Sequence, residues 1–135
     1  MKWSDDYLTG IERIDHQHKS LFQMSAAFRD ALNEGRGQLA YGSLLKFLRL
    51  YARGHFRFEE DCMNRCRCSA AECNTRAHTE FLRSLTSFEE HYAMLGFDPT
   101  DARRLVEFLD QWLAEHICGI DVQLRPYAQG LINSE

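Results

Sequence analysis

The sequence predicts an all-α protein: an antiparallel, up-down-up-down four-helix bundle with an N-terminal arm and a short C-terminal cap. Three observations carry this. Apolar residues recur at helical spacing in four segments, and the breaks between them are short and hold helix punctuation. No alternating Val/Ile/Thr-rich run suggests a strand. Short connections force successive helices to run antiparallel. At 135 residues the chain is expected to form one domain, 1–135, around a single core.

The first fourteen residues read as an arm. The first helix is expected after Asp15, a candidate N-cap, with His18, Leu21, Phe22, Ser25, Phe28 and Leu32 on one stripe. Gly35 and Gly37 end it. The second runs from about Ser43 and brings Leu44, Leu48, Tyr51, His55, Glu59, Cys62 and Met63 into phase. The third opens with "SAAE", in which Ser69 caps and Glu72 reaches back. Its stripe reads Asn74, His78, Phe81, Leu82, Leu85, Phe88 and Tyr92, and Gly96 closes it. The fourth has Asp98 as N-cap and Pro99 at the first helical position. Its stripe is Leu105, Phe108, Leu109, Trp112, Leu113, His116 and Ile120. The tail after Asp121 reads as an end cap.

Composition excludes several roles. Net charge is −4 and the basic residues are scattered, so no nucleic-acid interface is expected. No apolar run approaches a membrane span and "MKWSDDYLTG" has no apolar leader core, which makes the cytoplasm the default location. In that reducing setting the five cysteines are thiols, ligands or redox sensors rather than disulfides.

The chemistry lies in the histidines. Each apolar stripe contains one: His18, His55, His78 and His116. Glu59 projects from the same helix face as His55, one turn on. Asp121 follows His116 by five residues, an offset of about 140° on a regular helix, so the last helix is expected to end or loosen there. Burying these groups without partners would cost about 1–3 kcal/mol each, more for a carboxylate. Metal ions remove that cost. Imidazoles with carboxylates suit iron, manganese or zinc rather than copper(I). His16 and His91 fall off the stripes and read as surface groups, as do Glu60 and Asp61. Tyr51 reads as core, and Gly54 suggests a close helix–helix approach.

These residues resemble the hemerythrins, and among them the bacterial single-domain members. The likeness rests on Trp3, "GIERIDHQHKSLF", "YARGHFRFEEDCM", "HTEFL" and "WLAEHICGID". The resemblance implies a centre of two iron ions, oxo- or hydroxo-bridged, that binds dioxygen reversibly. His18 and His55 would bind one iron, His78 and His116 the other, and Glu59 and Asp121 would bridge them. Leu113 would line the oxygen pocket. Four-helix bundles are an established home for such centres.

One position departs from the family pattern. The third helix should carry His-x-x-x-His, and Asn74 stands at the first of that pair. An amide oxygen is a weaker donor than imidazole, so the second iron is expected to be held less tightly. Asn74 or water would complete its surroundings, or Cys73 would if the helix bulged.

"CMNRCRCSAAEC" packs Cys62, Cys66, Cys68 and Cys73 into twelve residues, with a spacing unlike paired zinc knuckles. Cys62 and Cys118 read as packed residues, while Cys66, Cys68 and Cys73 are candidate redox thiols. The favoured function is an oxygen carrier, store or sensor rather than an enzyme. The alternatives are a di-iron oxidoreductase acting on peroxide or nitric oxide, and a redox or metal sensor working through the cysteine run. Nothing in the sequence names a protein partner.

Overall fold

Each of the four stripes becomes the inner face of one long helix. The computed structural model describes residues 2–133; Met1 of the expected arm and Ser134 and Glu135 of the expected cap lie outside them. The helices are α1 (Glu12–Asn33), α2 (Gly37–Arg65), α3 (Ala71–Leu95) and α4 (Pro99–Trp112), joined by short turns in an all-α four-helix bundle. A wider coil, Leu113–Ile117, prolongs α4, and a 3-10 segment, Asp121–Tyr127, leads into the short α5 (Ala128–Asn133). No described helix is long and apolar enough to cross a membrane.

Helix α1 starts earlier than expected, and Asp15 is not its N-cap. The carboxylate lies inside the first turn and accepts from Thr9 N (2.7 Å), Thr9 Oγ1 (2.8 Å) and Gly10 N (3.1 Å). It therefore ties the arm to the helix three residues before His18. Only Gly35 ends α1: at φ 78° it lets Arg36 N donate to Ala31 O, closing the helix with a left-handed residue.

Helix α2 begins at Gly37, not near Ser43, because Tyr41 already faces the core. Gly37 opens this helix instead of ending the last one. A Cβ there would stand 2.8 Å from Leu32 Cδ1. The C-terminus of α2 closes on Arg67, which holds φ 54°, so that Cys68 N donates to Met63 O (2.9 Å). The expected Ser69–Glu72 box does not form; α3 starts at Ala71, with no side-chain bond from its cap. The Asp98–Pro99 start of α4 is as expected, with Asp98 accepting from Thr100 N.

Two apolar clusters flank the middle of the bundle. The larger one fills most of its length, from Leu21, Phe22 and Leu113 to Tyr41 and Leu105. The smaller gathers Ile11, Ile14, Cys62, Met63, Cys68, Leu124 and Leu131 at the capped end. Arg125 Nε donates to Leu8 O (2.9 Å), pinning the cap onto the arm. Gly54 is exposed and a Cβ there would meet nothing within 4 Å, so no close helix approach explains it.

Candidate metal centre

Between the clusters, seven polar side chains are buried together. His18, Glu59, Asn74 and Asp121 are 0% exposed, and His55, His78 and His116 only 2%. Their inner atoms form two groups. In the first, His18 Nε2 lies 3.1 Å from His55 Nε2, from Glu59 Oε2 and from Asp121 Oδ2. In the second, His78 Nε2 lies 3.0 Å from Glu59 Oε1 and 3.1 Å from His116 Nε2, which is 3.1 Å from Asp121 Oδ1. Each carboxylate thus turns one oxygen to each histidine pair. Among the described residues no cysteine belongs to either donor group.

The donors fit metal ions. Atoms bound side by side to an octahedral ion with bonds of about 2.1 Å stand about 3.0 Å apart, close to the separations found here. Asp121 Oδ2 faces His18 Nε2 at 3.1 Å in a fully buried position, so the inward nitrogens and oxygens crowd together and compete for few protons. Cations resolve that conflict.

Aromatic rings and outer hydrogen bonds aim the imidazoles. Phe56 stacks on His78 at 3.8 Å, Trp112 on His116 at 4.1 Å and Tyr51 on His55 at 4.8 Å. Gln17 Oε1 faces His55 Nδ1, and Glu60 Oε2 lies 3.0 Å from His78 Nδ1. Both contacts place the ring proton on Nδ1 and leave Nε2 free to donate its lone pair inward. Gln17 and Glu60 escaped the sequence reading, which gave Glu60 to the solvated face. Their adjacency to His18 and Glu59 was the available signal.

The offset of Asp121 has a backbone cause. From Leu113 to Ile117 the coil widens, and Cys118 N donates to Leu113 O, five residues back (3.1 Å). Such bulges add a residue to a turn and recur at functional sites. Ile117 consequently takes the fully buried place that helical phase assigns to Ile120, and Asp121 comes round to the histidines. Gly119 belongs to this device, since a Cβ there would stand 2.6 Å from Glu115 O.

Electrostatics show what replaces cations when none is bound. Burial pushes His18 down, but hydrogen bonds to Asp121 and Glu59 outweigh it and raise it to about 10. His116 rises to about 9, with burial again opposed by Asp121 and Glu59. Burial dominates at His55, which is lowered. Glu59 resists its own burial because His55, His116 and His18 surround it, and it stays well below the usual carboxylate range.

The model of the hemerythrin HHE cation binding domain matches residues 9–128. The chain belongs to the hemerythrin family. The bacteriohemerythrin of Pseudomonas paraeruginosa is 31% identical over 115 residues, covering 85% of this chain and 72% of that one. The bacteriohemerythrin of Clostridium acetobutylicum is 24% identical over 119 residues, 85% and 91% of the two chains. The hemerythrin-like protein of Naegleria gruberi is 26% identical over 123 residues, 91% and 89%. Hemerythrin membership carries non-haem iron binding with it, and the buried His/Glu/Asp groups fit a metal site.

The remaining sequence candidates sit apart from this hemerythrin centre. Cys73 is exposed and accepts from Arg76, Cys66 is half-buried, and Cys68 is buried in the smaller cluster. Cys118 packs at the end of the fourth helix against the larger cluster. His16 and His91 are exposed.

Proposed function

We propose that this centre holds two iron ions and binds dioxygen, as a carrier, store or sensor. His18 and His55 would hold one ion and His78 and His116 the other, with Glu59 and Asp121 shared between them. The division of both carboxylates between two histidine pairs is the observation that carries the reading. When bound, the two ions supply electrons that dioxygen takes up and returns.

The chain's own residues set the conditions for that exchange. Phe56, Trp112 and Tyr51 fix the imidazole planes, and Gln17 and Glu60 hold the outer protons of His55 and His78. Leu113, 0% exposed on the wide coil one turn before His116, lines the ligand pocket and keeps water out. The reading is of an oxygen-binding protein rather than an enzyme. Its place is the cytoplasm, without a nucleic-acid or membrane partner.

Optical spectroscopy on anaerobically reduced, iron-loaded protein tests the proposal. A visible band that appears under dioxygen and fades under vacuum supports carriage. Irreversible oxidation on first exposure supports the second reading, an oxidoreductase acting on peroxide or nitric oxide. The neutral, weaker donor at Asn74 is the observation that favours this alternative.

A further inference from the structure

We infer that Asn74 binds the second metal ion through its carboxamide oxygen. This assignment rests on the two-ion reading above and extends it to a residue where the chain departs from an all-imidazole, all-carboxylate donor set.

The placement of the amide is the evidence. One end of its carboxamide is turned inward among the donor atoms: with nitrogen there it donates to them, and with oxygen there it faces them across a cation. The inward atom lies 3.0 Å from His78 Nε2, 2.9 Å from His116 Nε2, 2.9 Å from Glu59 Oε1 and 3.2 Å from Asp121 Oδ1. Asn74 therefore stands one octahedral edge from every other donor of the second group.

The competing arrangement turns the amide nitrogen inward as an internal plug. An NH2 group has two hydrogens, and four nitrogen and oxygen atoms converge on it. Two of the four would then depend on protons held by the histidines themselves. A cation satisfies all four and the oxygen as well. Asn74 precedes His78 by one turn and projects from the same helix face, which brings its amide to the centre.

The second ion then has two nitrogen and three oxygen protein donors, against two and two for the first. The neutral carbonyl is the weakest of the five, and it is the donor that distinguishes the second ion from the first.

Full-length protein and Asn74→Leu, Asn74→Asp and Asn74→His variants, loaded anaerobically with ferrous iron, test the assignment. The readouts are iron per chain after desalting, the release rate of each equivalent to a chelator, and helix content by circular dichroism. The wild type should keep two irons. Asn74→Leu should lose the second at least about tenfold faster, with the first unchanged. Asn74→Asp should release it no faster than wild type. If Asn74→Leu does not fold, Asn74→Ala reads the same rate. Equal release from wild type and the apolar variant overturns the assignment. One iron in wild type but two in Asn74→His also overturns it, being the mark of a plugging amide. If neither wild type nor Asn74→His holds iron, the two-ion reading itself fails.

Discussion

The outer nitrogen of His78 lies 3.0 Å from a carboxylate oxygen of Glu60. Among the described residues, it alone of the four inward histidines has an anion there: His55 has the neutral Gln17, and Nδ1 of His18 and His116 has no hydrogen-bond partner. A carboxylate in that position strengthens imidazole as a donor. On the assignment proposed above, it would do so at the ion that Asn74 also binds.

Glu60→Gln should keep the hydrogen bond and remove the charge. The expected result is release of one iron equivalent about tenfold faster, with the other unaffected. Chelator competition on the loaded protein reads both rates. Unchanged kinetics would return Glu60 to the role of a surface carboxylate.

The metal-free protein should lose stability in alkali. His18 and His116 sit at about 10 and about 9 when folded, above the ordinary histidine value of about 6.5. Their protons stabilise the fold fully below about pH 6.5, and that contribution disappears as pH rises through 9 and 10. His55 is lowered, so its effect appears on the acid side, where protonation below about pH 6.5 favours unfolding. Urea midpoints across pH should therefore decline toward alkali, and calorimetry in different buffers should show protons leaving when metal binds at neutral pH.

Two glycine-to-alanine substitutions should have opposite signs. Gly54 is exposed, lies within α2 and has open space around its Cα. Gly54→Ala should stabilise the protein by about 1 kcal/mol through helix propensity alone, read as a higher thermal midpoint.

Gly119→Ala should destabilise it by about 1–3 kcal/mol, because the new Cβ would collide with Glu115 O. The backbone must then shift two residues before Asp121, so iron content should fall with stability. Normal iron content in a folded Gly119→Ala protein would contradict this account of the coil.

Periodicity made the helices and their inward faces legible, because burial leaves one stripe per helix whatever its chemistry. Histidine in each stripe was legible for the same reason. Helix starts were harder. Asp15 and Ser69 have the composition of caps, but Asp15 is drawn to Thr9 and Gly10, and a turn set by Arg67 delivers α3 without help from Ser69. The outer supports were invisible because helical phase places Gln17 and Glu60 beside the core stripe, at its margin. Only the packing of a neighbouring helix reveals that a histidine waits there. The loosened coil was foreseen from the five-residue gap to Asp121, and its form, down to the place of Gly119, was not.

That coil limits what can be transplanted. A designer who moved these side chains onto straight, idealised rods would keep every spacing in the sequence and still swing the aspartate through about 100° for the one surplus residue. The same swing would pass to everything downstream, including Arg125 and its grip on Leu8. The irregular turn is thus shared equipment, serving the centre on one side and the lid of the barrel of helices on the other.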